Sequence, residues 1–278
     1  MVEEFVRAHC HNALISYGQA VSNPPFSPRT IHAHETCEIY CVFRGNGYYI
    51  TEGARHKFEH GKIFLMRSGE SHRPDLTGDE PYARLALHFA PEIVDGIDPE
   101  RKLLRPFFGR PLGLNNVYDR SAVTRTMLYE LFRKMAQLTG DNYQDCLHVT
   151  GLLFAVLDEL CTLFDAGLFN TPGESTELMH NVVTYVNDNL TTPLSVGKIC
   201  EKFYLSRGQL HSSFKSSTGT TVWDYIITKR LILAKEYLSE GMAAQEAARV
   251  CGFSDYSAFY RAYQKRYGVS PTGASRTP

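Results

Sequence analysis

Four residues in the first third of the chain have types and a spacing that could do chemistry: His32, His34 and Glu38, in the order His-x-His-x-x-x-Glu, and His72 further on. Three imidazoles and a carboxylate converging on one point are a common ligand set for a divalent metal, because those donors suit zinc, iron and related ions. Without a metal, the same residues would be polar groups lining a pocket for a small molecule, with Tyr40 and His88 as further candidate contacts. The third reading is a set of satisfied core histidines. No glycine-rich phosphate loop and no local Ser-His-Asp or Cys-His signature accompanies them.

Short runs rich in Ile, Val, Tyr and Phe must position these residues. From Ile31 to about Ala90 the chain reads Cys37–Phe43, Tyr48–Thr51, Ile63–Met66 and Ala83–Phe89, separated by Gly45-Asn46-Gly47, Glu52-Gly53 and Gly61. Spacing of about ten residues between such runs predicts an antiparallel barrel or sandwich. His32, His34 and Glu38 share even parity and would leave one face of a strand. Cys37 and Cys41 share odd parity and would face a core on the other side.

After Pro111 the apolar period changes from two to about 3.6, so helices follow. One runs over Thr124–Leu138, with Met127, Leu128, Leu131, Phe132, Met135 and Leu138 on one face. A second runs over Gln144–Phe164, and its apolar stripe is wide enough to need partners on two sides. The stretch 169–176 reads as a linker, and helix follows helix from about Leu178 onward. The expected division is therefore 1–110 barrel, 111–168 helical dimerisation region, 169–176 linker and 177–278 helical domain.

At 278 residues, with 43% hydrophobic and 21% charged residues, the composition is that of an ordinary globular protein of about two domains, not a disordered or fibrous chain. The seven cysteines are scattered without a Cys-x-x-Cys pair, which argues against a disulfide framework or zinc ribbon and fits a reducing cytoplasm. No run of about 20 apolar residues is evident, and Glu3, Glu4 and Arg7 interrupt any leader-like start, so neither membrane nor export is expected. The net charge of −1 is uneven: Val196–Pro278 holds twelve Lys plus Arg against six Asp plus Glu, a local +6 that leaves −7 for the rest.

That basic end repeats itself. Val196–Ser206 followed by Arg207–Lys215, and Ala244–Ser254 followed by Asp255–Lys265, each read as a short helix, a tight turn and a second helix, about 48 residues apart. Ala248, Gly252, Phe259 and Tyr263 supply the crossing, turn and inward positions of the second copy; Cys200, Leu210 and Phe214 do so in the first. Ser206 and Ser254 stand where each second helix needs an N-cap. A connecting helix over Val222–Leu238 would span about 26 Å at 1.5 Å per residue, against roughly 34 Å between successive major grooves on one face of DNA.

Residues 178–276 resemble the AraC/XylS family of bacterial transcription regulators. The match lies in Ser206–Lys215, Thr218-Gly219, Tyr225, Arg230, Ala234, Gly252-Phe253-Ser254, Phe259, Tyr263, Lys265 and Tyr267-Gly268-Val269-Ser270-Pro271. It departs at Cys200, usually alanine, at Tyr204, usually glycine, and at Ala274-Ser275, usually Tyr-Arg. The resemblance implies base contacts from Gly208, His211 and Ser212 in the first copy and from Asp255, Tyr256, Ser257, Tyr260 and Arg261 in the second, with Arg207 and Gln209 in the same set. Lys215, Lys229 and Lys265 would meet phosphates.

The N-terminal residues resemble cupin motifs: His32-x-His34-x-x-x-Glu38, six residues, Gly45, then Gly61, five residues, Arg67-Ser68-Gly69, two residues, His72. Arg67 stands where cupins usually carry proline, Lys62 where a Gly-Asp pair is frequent, and Leu76 where asparagine is usual. Together the two resemblances imply an all-β cupin-like barrel followed by helices, then an all-α domain with two helix-turn-helix motifs. The implied function is a transcription regulator, more often an activator, that binds double-stranded DNA and senses a sugar or related metabolite. A homodimer and RNA polymerase are its candidate partners. The competing class is a metal-dependent cupin enzyme with an accessory helical domain, using His32, His34, Glu38 and His72 as ligands.

Overall fold

The structure, a computed structural model, describes residues 3–9, 14–24, 31–52, 54–138, 142–169 and 177–272. The chain divides into two compact units: Met1–Arg29 with His34–Glu174, and Thr30–Ala33 with Ser175–Pro278. Most of the expected linker, residues 170–176, lies outside the described residues.

Alternating apolar residues build the first unit. Its strands are β1 (Glu3–His9), β2 (Ile15–Ser22), β3 (Cys37–Arg44), β4 (Asn46–Thr51), β5 (Ala54–Lys57), β6 (Ile63–Met66), β7 (His72–Thr77), β8 (Tyr82–Phe89) and β9 (Val117–Tyr118). They form a six-stranded sheet in the order β1-β2-β8-β3-β6-β9 and a three-stranded sheet in the order β5-β4-β7, with antiparallel pairing throughout. In the central strands Glu38 pairs with His88 and Met66, and Tyr40 with Ala86 and Phe64. Even positions of β3 and β8 therefore share one face of the sheet, and odd positions share the other.

The two faces differ. The odd residues Cys37, Ile39, Cys41, Leu85, Leu87 and Phe89 form a dry core with the helices that follow. Burial pushes the Cys37 and Cys41 thiols up to about 12, so both are packing residues, as their parity predicts. The even residues Tyr40, Val42 and Ala86 face Tyr49 of the smaller sheet, together with Phe58, Phe64 and Met66. This second layer encloses the barrel interior.

Two strands precede the region read as strands from sequence. β2 alternates Ile15 and Tyr17 with Ser16 and Gly18, a pattern too short and too polar to stand out. The sheet also continues past the expected boundary at residue 110: after two 3-10 turns and α1 (Arg105–Phe108), β9 returns to pair with β6. A buried ion pair fixes that return. Arg110 donates from Nη1 to Glu70 Oε1 at 2.9 Å and from Nη2 to Glu70 Oε2 at 2.6 Å, with both side chains fully buried. Glu70 also accepts from the Gly113 backbone at 2.7 Å.

The helices of this unit are α2 (Arg120–Val123), α3 (Leu128–Met135) and α4 (Tyr143–Asp165). α3 is shorter than expected because residues 124–127 belong to the turns that leave α2. Asn142 caps α4 by accepting from Asp145 N. α4 buries Val149, Leu153, Val156, Leu157 and Leu160 against the sheet and α3, yet leaves Leu147 about half exposed. This corrects the expectation that no segment is long and apolar enough to cross a bilayer: by length and composition α4 passes that test, because apolar residues occupy more than its sheet-facing stripe.

The second unit contains α5 (Glu177–Asp188), α6 (Val196–Phe203), α7 (Arg207–Thr218), α8 (Val222–Ser239), α9 (Ala244–Val250) and α10 (Tyr256–Tyr267). Two apolar clusters share α8. Its N-terminal half packs with α5, α6 and α7 through Val186, Ile199, Leu210, Phe214 and Tyr225. Its C-terminal half packs with α9 and α10 through Ala234, Ala248, Phe259 and Tyr263. Arg230, 4% exposed, ties the halves together by donating to the carbonyls of Leu190, Thr192 and Gly252. Gly252 has φ +84, and a Cβ there would lie 2.8 Å from both Arg230 Nη2 and the Leu190 carbonyl, so glycine is required twice over.

Candidate effector pocket and nucleic-acid interface

In the barrel, β3, β7 and β8 bring Glu38, His72 and His88 together, and the chain entering β3 adds His34. His72 Nε2 lies 2.8 Å from Glu38 Oε2, His34 Nε2 3.8 Å from the same oxygen, and His88 Nε2 3.7 Å from Oε1. The rings of His34 and His88 meet edge to face at 4.7 Å. Burial alone would raise the Glu38 carboxyl, but His88, His72 and His34 outweigh it and hold the group well below the usual carboxylate range. Burial likewise disfavours the His72 cation, and Glu38 outweighs that and raises its pKa.

His72 Nδ1 also lies 2.8 Å from the Glu70 carbonyl. Donation from Nδ1 would free Nε2 to coordinate a metal, the usual arrangement for a ligating histidine. His34, Glu38 and His88 have ligand atoms within 4.8 Å of one another, so the donor set fits a divalent ion. Such an ion would supply Lewis acidity or an anchoring charge, held by Glu38 and these imidazoles.

Of the sequence-derived set, His34 and His88 line a cavity of about 320 Å³ beside this cluster. Glu38, Tyr40 and His72 are buried behind it. The Tyr40 hydroxyl contacts that of Tyr82, and its ring lies 5.3 Å from the Arg84 guanidinium. His32 sits at a single bridge position in residues 30–33, the segment that groups with the second unit. Sequence reasoning missed Ser16, Gly18, Thr36 and Arg84 in the lining. The signal for Arg84 was present: Arg84, Ala86 and His88 alternate with Leu85, Leu87 and Phe89, which places them on the interior face.

A second hollow, about 460 Å³, runs between α3 and α4, with Leu138, Leu147, Gly151 and Leu152 along it.

In the second unit α7 presents Arg207, Gly208, Gln209, His211, Ser212 and Lys215, all exposed. α10 presents Ser257, Arg261 and Lys265 as exposed residues, with Tyr256 and Tyr260 half-buried. Among the described residues no carboxylate pairs with Arg207, Lys215, Arg261 or Lys265. Four cations on two helices are thus left facing solvent without internal partners. Trp223, at the start of α8, is about half exposed.

Several local expectations change. The N-cap of α10 is Asp255, not Ser254, because its carboxylate accepts from both Ser257 N and Ala258 N. Asp255 is therefore committed to the helix end. Ser206 caps α7 as expected, and Gln209 completes a capping box by accepting from Ser206 N at 3.0 Å. Lys229 is 6% exposed, packed on the interior side of α8 with its ammonium 5.5 Å from the Tyr225 ring, so it does not face a phosphate. Tyr204 ends α6 in the left-handed conformation at φ 55, the conformation that favours glycine, and is 96% exposed.

Sequence comparison agrees with this architecture. Residues 17–157 match the family model of an AraC-like ligand binding domain, and residues 199–277 that of a helix-turn-helix domain. The "Probable transcriptional regulator LumQ" of Photobacterium leiognathi is 36% identical over 247 residues, covering 88% of this chain and 91% of that protein. The HTH-type transcriptional activator RhaR of Enterobacter sp. (strain 638) is 24% identical over 259 residues, covering 91% and 90%. Among solved structures, the DNA-binding domain of AdpA in complex with a target DNA aligns at 26% identity over 36% of this chain and 91% of that chain, with a TM-score of 0.34. Two helix-turn-helix motifs behind a cupin-like ligand-binding domain define a class of effector-responsive transcription regulators. The chain belongs to the AraC family of these regulators.

Proposed function

We propose that the protein is a one-component transcription regulator, not an enzyme, in which a small molecule held in the barrel biases how α7 and α10 engage duplex DNA. The observation that carries this reading is the set of exposed cations without a partner among the described residues, Arg207 and Lys215 on α7 and Arg261 and Lys265 on α10. Arg261 is suited to a bidentate guanine contact. Lys215 and Lys265 are suited to phosphates, where they add salt-dependent affinity. α8, 18 residues and about 27 Å long, connects the two reading units, against roughly 34 Å between successive major grooves on one face of DNA.

The reading places the protein in the cytoplasm with its DNA. Activation, the role in RhaR's name, would bring RNA polymerase into contact with it. The reading assigns α3 and α4 as the surface for a second copy of the chain, supported by the apolar residues that α4 carries beyond its sheet-facing stripe. Sedimentation showing a monomer at micromolar concentration, with and without DNA, would remove the dimer. A metal-dependent enzyme would use the Glu38 cluster but gives the exposed cations no role.

The test is selection of bound sequences from a random duplex library by the full-length protein, wild type beside Arg261→Ala at one salt concentration. The expected wild-type motif has two blocks about one helical turn apart. Arg261→Ala relaxes one base position within one block, at a cost of about 1–3 kcal/mol in discrimination. A wild-type protein that enriches no motif, with or without bound effector, would contradict the proposal.

A further inference from the structure

The barrel cavity carries a charge signature of its own. We propose that its occupant is a small organic anion whose carboxylate or phosphate is held by Arg84, with its body lying over Gly18 and Ala86 and its polar groups meeting His34 and His88. The proposal rests on reading the barrel as the sensing domain and assigns the chemical class of what it senses.

Size and shape come first. A cavity of about 320 Å³ sits at the lower end of small-molecule sites, which run from roughly 300 to 1,000 Å³. Its floor is made of small residues: Ser16 and Gly18 of β2 pair with His88 and Ala86 of β8. A Cβ built on Gly18 would meet no atom of a described residue within 4 Å, so the hollow lies over that residue.

Charge sets the class. Among the described residues the lining offers Arg84, His34, His88, Ser16 and Thr36 as polar side chains, and no Asp, Glu, Asn or Gln. Neutral sugars are commonly held by carboxylates and carboxamides that accept from their hydroxyls, and the described lining residues offer none. Glu38, on the same face of the sheet, is engaged by His72 at 2.8 Å. Among the described residues no carboxylate pairs with Arg84, which is half-buried. A half-buried guanidinium without a counter-charge is a costly arrangement that a bound anion relieves. The Tyr40 ring, 5.3 Å from that guanidinium, restricts its planar fork, and such a fork matches the two oxygens of a carboxylate or phosphate.

The experiment is calorimetric titration of full-length protein, treated with chelator so that no metal stands in for Arg84, against matched acid and neutral probes. The pairs are galacturonate and galactose, glucose 6-phosphate and glucose, and benzoate and benzamide; they separate carboxylate from phosphate and sugar from aromatic bodies. At least one acid is expected to bind tenfold or more tightly than its neutral partner. Arg84→Gln is expected to lose at least tenfold of that affinity. Gly18→Val, whose side chain enters the hollow, is expected to abolish binding without changing the melting profile. Acids that bind no tighter than their neutral partners, whether both bind or neither does, overturn the proposal, as does full acid affinity in Arg84→Gln. Should Arg84→Gln fail to fold, unchanged acid binding by Gly18→Val overturns it instead. Titration needs no DNA, so a wild-type protein that binds an acid but selects no motif would count against the regulator reading alone.

Discussion

The two units keep their charge in opposite places. The barrel unit buries Glu38, Glu52, Lys62, Glu70, His72 and Arg110, whereas the helical unit buries only Lys229 and Arg230 among the charged groups of its described residues. In the helical unit Arg207 and Lys215 of α7 and Arg261 and Lys265 of α10 are exposed. Buried charges must be paired, and pairing fixes geometry, as in the Arg110–Glu70 bridge and in Lys62 with Asp119 at 3.2 Å. Outward cations without partners instead leave the choice of counter-charge to whatever approaches. The first arrangement builds a rigid frame around a small ligand; the second suits a polyanion.

The largest effect should come from breaking the barrel's buried pair. Arg110→Ala leaves Glu70 ionised and enclosed, a loss of about 3–5 kcal/mol. Denaturant unfolding should therefore lose the barrel transition first while the helical transition stays. Equal destabilisation of both units would break the contrast between them.

Acid should act next, again on the barrel. Burial and the neighbouring Lys62 push His56 down to about 4, below the usual unfolded value of about 6.5. A depressed histidine contributes stability that is complete above the unfolded pKa and is lost as pH falls from about 6.5 to about 4, at roughly 1.4 kcal/mol per unit, or about 3 kcal/mol over the window. His72 has the opposite sign: its raised pKa contributes below about 6.5 and is lost as pH rises through the folded value. Barrel stability, followed by denaturant midpoints, should fall between pH 6.5 and 4 in wild type and fall less in His56→Leu. An identical fall in both would remove His56 from the account.

Legibility in the sequence followed the same divide. The helical unit could be read residue by residue, because Ser206, Gly252, Phe259 and Tyr263 owe their identities to local geometry: a cap, a positive-φ turn and inward helix positions. Its errors were local too. Asp255 took the cap from Ser254 by offering two oxygens to two amides, and Lys229 proved to be on the interior side of α8. In the barrel, strand parity placed Cys37, Cys41 and Glu38 on their correct faces. The lining from β2 was invisible, because Ser16 and Gly18 become pocket residues only through their pairing with His88 and Ala86, some 70 residues away. β3 begins at Cys37, so strand parity covers Glu38 but not His32 or His34, and His34 reaches Glu38 from the chain that enters the strand.

The division of charge is tested most directly by operator affinity as a function of salt, using the selected duplex, for wild type, Arg84→Gln and the double variant Lys215→Ala with Lys265→Ala. Each phosphate contact contributes about 0.9 to the slope of log K against log salt, so losing two lysines should flatten it by about 2. The account predicts that flattening in the double variant and a wild-type slope in Arg84→Gln. A flattened slope in Arg84→Gln, or a wild-type slope in the double variant, would contradict it.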